Sequence, residues 1–129
     1  MKWLPIDYIL KLHEKMILKT GGSPGVRDIN LLLSAVFNAH ASFGGQDLYP
    51  NIESKVAAVC HGIINNHPFV DGNKRMGIYL MLILLEYNDY HISYYEDELV
   101  DLGLAIAESI LSKEYIARWI KEHNTTKMG

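Results

Sequence analysis

The segment Met76 to Leu85 limits the fold of this 129-residue chain more than any other stretch. Its ten residues are Met, Gly, Ile, Tyr and Leu only. A membrane-spanning helix needs about 20 apolar residues, so this segment is too short to cross a bilayer. A helix that is apolar on nearly every side must instead be surrounded by other elements of the same protein. The sequence therefore predicts a helix from about Asn73 to Asn88 at the centre of the fold.

Five more helices are predicted, mainly from apolar residues that recur with the helical period. Asp28 is a suitable N-cap for the second of them, because its carboxylate can accept backbone N–H groups. The fold class is then all-α, with a single domain over residues 1–129 built as a bundle of about six helices around the central apolar helix. The five run from near Pro5 to about Lys19, from Ile29 to His40, from Ile52 to His67, from Glu96 onward, and from Glu114 to about His123.

The segments between these helices are predicted to be irregular. Thr20 to Gly25 is dense in helix breakers, and Ala41 to Pro50 carries two adjacent glycines at its centre. Tyr90 to Tyr95 favours an extended conformation but has no clear partner strand. The polar residues 124–129 are predicted to be a frayed tail.

The composition excludes several classes of protein. The net charge of −3 gives no basic surplus for direct nucleic acid binding, and no basic amphipathic stretch indicates a membrane surface. The N-terminus lacks the apolar region of a signal peptide, so we expect a soluble, cytoplasmic protein. The single cysteine, Cys60, lies in an apolar helical pattern and is predicted to be a buried structural thiol.

The loop His67 to Arg75 concentrates the groups that can perform chemistry. Pro68 disfavours the α conformation at the residue before it, so the third helix should end at His67. The next helix then begins near Asn73, a few ångströms away. The first helix end favours a protonatable base and the second favours an anion. A base beside an anion cradle indicates phosphate chemistry.

Two residues of this loop are candidates for catalysis and metal binding. His67 is the natural general base, because its unperturbed pKa lies near neutrality. It follows Ile63 by four residues and is predicted to project from the inward face of its helix. Asp71 is a hard oxygen ligand, suited to a Mg²⁺ ion that is also held by phosphates. Zinc is a poor alternative, because no other His or Cys has ligand spacing to His67. His13, on the apolar stripe of the first helix, is predicted to be a half-buried packing residue.

The remaining loop residues suit nucleotide binding. Gly72 allows a ligand to approach the backbone, and Asn73 can cap the helix that follows. Lys74 and Arg75 supply positive charge, as a point charge and as a planar fork. Phe69 is predicted to anchor the loop by packing inward. Residue types alone, however, leave a plain polar loop between helices as the commoner alternative.

The stretch His67 to Arg75 resembles the signature of the Fic/Doc superfamily, His-Pro-Phe-x-Asp/Glu-Gly-Asn-Gly/Lys-Arg, at all nine positions. The glycine-rich stretch Gly21 to Asp28 and the Leu31 to Ala35 stretch after it are similar to the flap region of the Doc (death-on-curing) branch. By composition alone this glycine loop is a plain helix connection. The resemblance implies instead a flap that aligns a segment of the target protein, with Gly21, Gly22, Gly25, Arg27 and Asp28 as its docking residues.

Two positions depart from the pattern of Fic enzymes that transfer AMP. That pattern has Gly where this chain has Lys74, and a second Arg where this chain has Ile78. Both departures are similar to Doc, which implies a kinase that uses ATP and Mg²⁺ and transfers the γ-phosphate. His67, Lys74 and Arg75 would be its catalytic residues, Asp71 its metal ligand, and Gly72, Asn73, Lys74 and Arg75 its nucleotide-binding residues.

The resemblance also implies partners and control. The expected target is a hydroxyl of elongation factor Tu, and the expected inhibitor is a Phd-like antitoxin. The chain carries no Ser/Thr-x-x-x-Glu-Gly/Asn inhibitory motif, which favours control by a separate protein. Two alternatives stay open: AMP transfer to a protein hydroxyl, and a catalytically silent protein that only binds the antitoxin.

Overall fold

The computed structural model describes residues 1–126, and these form a mostly α-helical fold with six α-helices. The all-α prediction is confirmed. One short 3₁₀ helix follows the second α-helix at Asn38–His40. The helices are α1 (Ile6–Thr20), α2 (Ile29–Phe37), α3 (Ile52–Asn66), α4 (Asn73–Tyr87), α5 (Glu96–Ala107) and α6 (Lys113–His123).

The centre of the bundle is shared by α3 and α4. The predicted central helix α4 packs against α1, α3 and α5, while α3 packs against α2, α4, α5 and α6. Glycine permits the closest approach: a Cβ atom at Gly77 would lie 2.5 Å from Cγ1 of Ile64. Within residues 1–126, no helix combines the length and the apolar character needed to cross a membrane.

The connection between α2 and α3 contains more order than the sequence analysis predicted. Strands β1 (Ser42–Phe43) and β2 (Gln46–Asp47) form an antiparallel hairpin, so the prediction of an irregular segment is wrong there. Gly44 and Gly45 both have positive φ, at 59° and 80°. Two such residues make the turn whose twist matches a hairpin. The predicted second helix also ends early, because its last three residues tighten into the 3₁₀ turn.

The chain after α6 returns to the body of the protein. Asn124 forms an antiparallel bridge with Ile92, and the N–H of Thr125 donates to the carbonyl of His91 at 2.7 Å. The predicted frayed tail is therefore wrong for residues 124–126, because their backbone finds partners in the extended segment after α4. Residues 127–129 of that prediction lie outside the described part of the chain.

Cys60 lies fully buried in α3, as predicted. Burial raises the pKa of its thiol to about 12, because the charged thiolate would lose its hydration. The thiol is therefore protonated at neutral pH and acts as a small apolar side chain.

Candidate active site

His67 forms a sharp corner at the end of α3. The helix ends at Asn66, and His67 is its C-cap, with φ 54° and ψ 58° in the left-handed region. The predicted helix end is therefore correct to within one residue. The predicted inward direction of the side chain is wrong, because His67 is exposed. A left-handed residue leaves the helical row, so the four-residue spacing from Ile63 no longer fixes where its side chain points.

The imidazole of His67 is held in one orientation. Its Nδ1 atom lies 3.1 Å from the carbonyl oxygen of Asn65. A carbonyl can only accept a hydrogen bond, so Nδ1 must carry the hydrogen. In the neutral ring the lone pair then lies on Nε2. The exposed corner thus presents a nitrogen that can accept a proton.

The carboxylate of Asp71 receives hydrogen bonds from two backbone N–H groups. The N–H of Ser23 donates to Oδ2 at 3.0 Å, and the N–H of Gly72 donates to Oδ1 at 2.8 Å. Nη2 of Arg75 lies 3.8 Å from Oδ1. The hydrogen bond from Ser23, then that from Gly72, and to a lesser degree the charge of Arg75, hold the pKa of Asp71 below its ordinary value. Asp71 is therefore ionised at neutral pH.

The donor set around Asp71 fits an ion that is shared with phosphates. Among residues 1–126, no group of three or more His, Cys, Asp or Glu side chains gathers to hold a metal by itself. A carboxylate offers about four lone-pair sites, so the two N–H groups leave Asp71 able to bind a cation. Mg²⁺ commonly takes one or two protein carboxylates and completes its shell with phosphate oxygens and water. The site suits that use of Mg²⁺ and does not suit a closed zinc site.

The N-terminus of α4 faces this loop. Its N-cap is Gly72, in the left-handed region with φ 77°, and no side chain among residues 1–126 caps the first turn. The prediction that Asn73 caps the helix is wrong, because Asn73 is already its first residue. An uncapped first turn leaves backbone N–H groups that can bind an anion.

Asn73 instead closes the loop from inside. Its side chain is buried, its Oδ1 accepts the N–H of Phe69, and its Nδ2 donates to the carbonyl of Phe69, both at 3.0 Å. An amide has the donor and the acceptor that match one backbone residue. Phe69 is itself 1% exposed, as predicted for an anchor. The nucleotide-binding role of Asn73 stays a prediction.

The two cations of the loop differ in their surroundings. Lys74 is exposed on the first turn of α4. Arg75 reaches back to the end of α1, where Nη1 donates to Oγ1 of Thr20 at 2.6 Å and to the carbonyl of Gly21 at 2.8 Å. Lys74 therefore faces solvent, whereas Arg75 links α4 to the end of α1 and to Asp71.

The predicted flap lies along the signature loop. Val26 and Phe69 form an antiparallel bridge, and the N–H of Val70 donates to the carbonyl of Gly25 at 3.1 Å. The structure therefore brings together the flap and the signature loop through hydrogen bonds that span 40 and 48 positions of sequence.

The predicted docking residues of the flap have distinct local roles. Gly21 caps the C-terminus of α1, and Asp28 caps α2 by accepting the N–H of Asn30 at 2.9 Å. Gly22 has φ 116°, and a Cβ atom there would lie 2.6 Å from Oδ2 of Asp71. Only glycine fits this position without displacing the carboxylate.

His13 is the residue whose part in the site the sequence analysis missed. It is 1% exposed, so it is more deeply buried than predicted. Its Nε2 lies 2.9 Å from the main-chain carbonyl of Asp71. Its ring stacks on Phe69 at a centroid distance of 3.9 Å. The sequence did contain a signal for this role, because His13 places a polar ring on the apolar stripe of α1. A polar ring that is buried needs a hydrogen-bond partner.

The comparison with known families bears on the resemblance that was stated from the sequence. Residues 3–85 match the model of the Fic/DOC family, and the chain belongs to that family. It is similar to the protein named Toxin Doc from Mycolicibacterium smegmatis, with 46% identity over 55 residues. That match covers 43% of this chain and 42% of the relative, so the chain aligns with less than half of the relative's length. The resemblance to the Doc branch is thereby confirmed.

Proposed function

We propose that this protein is the toxin of a toxin–antitoxin pair, and that it is a kinase which transfers the γ-phosphate of ATP to a Ser or Thr hydroxyl of a target protein. The observation that carries the proposal is the geometry of His67. Its Nδ1–H is engaged by the carbonyl of Asn65, so Nε2 is the proton acceptor at an exposed corner. Membership of the Fic/DOC family and similarity to a protein named Toxin Doc support the same function.

In this mechanism His67 accepts the proton of the target hydroxyl through Nε2. Asp71 would hold Mg²⁺ on the nucleotide phosphates, and the metal would supply positive charge to the transferring group. Lys74, Arg75 and the first-turn N–H groups of α4 would stabilise negative charge on the same group. Phosphoryl transfer depends mostly on positioning and electrostatics, so this small set of residues is sufficient.

The choice of the γ-phosphate rests on Lys74 and Ile78. Lys74 places an exposed cation where AMP-transferring relatives have glycine. Ile78 is only 8% exposed, and its Cγ1 would lie 3.6 Å from a Cβ atom at Gly103 of α5. Position 78 therefore faces the packed interior, and an arginine there would need a different path to reach a phosphate. AMP transfer remains the alternative.

We further propose elongation factor Tu as the target and a Phd-like protein as the antitoxin. The absence of the internal inhibitory motif supports control by a separate protein. The catalytically silent alternative would keep the antitoxin as a partner but would make no use of the exposed His67.

The experiment is label transfer from ATP carrying the label at either the α or the γ position. Purified protein is incubated with Mg²⁺ and cell lysate, with His67→Ala as the matched control. Label transfer from the γ position alone, lost in His67→Ala, is the expected result. Transfer from the α position alone would replace the kinase with AMP transfer. No transfer from either position, with both chains equally harmless to a host without the antitoxin, would favour the silent protein.

A further inference from the structure

Three successive carbonyls at the end of α3 accept hydrogen bonds from one residue of the flap, Arg27. Nη2 of Arg27 donates to the carbonyl of Asn66 at 2.8 Å, and Nε donates to that of His67 at 2.7 Å. The backbone N–H of Arg27 donates to the carbonyl of Pro68 at 2.7 Å, and the N–H of Asp28 donates to the same oxygen at 3.0 Å. The side chain and the backbone of Arg27 thus both donate hydrogen bonds to the carbonyls of residues 66–68.

The corner needs such support because its conformation is unfavourable. The left-handed region is sterically unfavourable for a residue that carries a Cβ atom. His67 also precedes Pro68, and the ring of a proline crowds the residue before it in helical conformations. The left-handed conformation of His67 is therefore stable only if it is offset by hydrogen bonds that other conformations of this residue would not make. The fork of Arg27 supplies two such bonds, and its charge is favourable at a helix C-terminus.

The corner also decides where the proton acceptor of His67 points. With His67 at φ 54° and ψ 58°, its ring turns back toward the end of α3, and Nδ1 lies 3.1 Å from the carbonyl oxygen of Asn65. If the corner relaxed to another conformation, that bond would be lost, and either ring nitrogen could then carry the hydrogen. By stabilising the backbone at His67, Arg27 therefore also stabilises the tautomer of the imidazole and the direction in which it points.

We infer that Arg27 is the positioning residue of the base His67, and that it acts through the backbone of residues 66–68. This inference rests on the proposed function. It differs from the expectation that Arg27 is a docking residue for the target, because Nε and Nη2 are both directed to carbonyls of this chain. It also makes the flap a support of the catalytic base.

Arg27→Gln and Arg27→Lys test the inference. Both variants keep the backbone N–H that donates to Pro68. Gln removes the fork and the charge, whereas Lys keeps the charge but cannot form two parallel bonds. Arg118→Gln, on α6 beside Tyr115, is the matched control for loss of an exposed arginine. The steady-state rate of phosphate transfer from ATP is measured at increasing concentrations of elongation factor Tu, the proposed target. We expect kcat to fall about tenfold to a hundredfold in Arg27→Gln, as for a base displaced by about 1 Å. The KM for the target should stay within about twofold, because ground-state binding is intact.

A spectroscopic readout separates this inference from the proposed function. Nitrogen-15 NMR of the His67 ring needs no nucleotide and no target. The wild-type and Arg118→Gln proteins should show mainly the tautomer with hydrogen on Nδ1, and Arg27→Gln should shift toward hydrogen on Nε2. Should the NMR shift occur without any transfer activity, the positioning role holds and the proposed kinase fails.

Other outcomes would overturn the inference. An unchanged tautomer in Arg27→Gln excludes positioning. A raised KM with unchanged kcat makes Arg27 a docking residue. If Arg27→Gln does not fold, the test uses Arg27→Lys alone. A kcat below that of the wild type supports a positioning role for the two side-chain hydrogen bonds of Arg27. A wild-type kcat together with the wild-type tautomer of His67 excludes that role.

Discussion

His13 and Asp71 are joined by a hydrogen bond of 2.9 Å between a buried imidazole and a main-chain carbonyl, across 58 positions of sequence. Because a carbonyl only accepts, Nε2 of His13 carries the hydrogen. The same ring stacks on Phe69 within a few degrees of parallel. One side chain of α1 therefore fixes both the apolar anchor and the acidic residue of the signature loop.

This arrangement predicts the effect of His13→Phe. Phenylalanine keeps a flat ring against Phe69 but cannot donate to Asp71. The free energy of unfolding should fall by about 1–3 kcal/mol, the usual consequence of removing one partner of a buried hydrogen bond. Urea denaturation measures the change. Leu18→Ala on the same helix is the control, because Leu18 is 86% exposed and should change stability by less than about 0.5 kcal/mol. Equal effects in the two variants would contradict this role of His13.

The left-handed conformation of His67 predicts that glycine gives a more stable protein than alanine at this position. His67→Gly and His67→Ala both remove the imidazole, so both should lose label transfer. Glycine adopts φ 54° without the steric penalty that alanine retains. We expect His67→Gly to be more stable than His67→Ala by about 1 kcal/mol. Urea denaturation of the two variants under identical conditions gives the comparison. If alanine were the more stable residue, the backbone at 67 would not be strained.

Helical periodicity was sufficient to predict the bundle, because six amphipathic or apolar segments have few other ways to bury their apolar faces. It could not predict the direction of His67. That direction depends on a left-handed residue, which ends the helical row on which the inward prediction was based. The roles of His13 and Arg27 depend on contacts across 58 and 40 positions of sequence, and local patterns carry no information about such contacts.

Some of the missed features did have a local signal. The pair Gly44-Gly45 is a known hairpin turn sequence, and it forms that turn here. Asn73 was expected as a helix cap from its residue type, but Gly72 occupies that position instead. The side-chain amide of Asn73 instead bonds the backbone of Phe69, four residues earlier, and the capping preference of asparagine does not predict that contact.

Gly22 is expected to be essential for the position of Asp71. In Gly22→Ala a Cβ atom would meet Oδ2 of Asp71 at 2.6 Å, so the carboxylate or the flap must move. Gly45→Ala is the matched control, because Gly45 also has positive φ but lies in the turn of the β1–β2 hairpin, and no atom of residues 1–126 lies within 4 Å of its Cβ position. Both variants should lose about 1 kcal/mol of stability to backbone strain. Only Gly22→Ala should also lose label transfer by tenfold or more, about 1.4 kcal/mol of barrier. Equal transfer rates in the two variants would contradict the contact.

Glu98 gives the fold a predicted dependence on acid pH. Its Oε1 accepts the N–H of Tyr95 at 2.9 Å, and its Oε2 lies 2.7 Å from Nε2 of His123. The hydrogen bond from Tyr95, then that with His123, lower the pKa of Glu98 from its ordinary value. A lowered folded-state pKa stabilises the protein above the unfolded pKa, and that stability is lost as pH falls through the folded pKa.

The measurement is urea denaturation of the wild type and Glu98→Gln between pH 7 and pH 3. The stability that the carboxylate adds to the wild type should be present above the ordinary glutamate pKa of about 4.3 and should be lost as pH falls through the lowered pKa of the folded state. A difference that is independent of pH would show that Glu98 contributes through packing alone.

Asp71 is expected to make nucleotide binding depend on a divalent metal ion. Asp71→Asn keeps the shape of the side chain and one oxygen acceptor, but it removes the negative charge that Mg²⁺ requires. Ser23 and Gly72 donate to different oxygens of Asp71, so only one of the two N–H groups can still donate to the single amide oxygen. The variant should still fold, because the backbone bonds between the flap and the signature loop are unchanged. Calorimetric titration with a non-hydrolysable ATP analogue, with and without Mg²⁺, gives the readout. Wild-type affinity should rise by tenfold or more when Mg²⁺ is added, equivalent to about 1.4 kcal/mol. The affinity of Asp71→Asn should not change. A metal effect of the same size in both proteins would mean that Asp71 does not hold the ion.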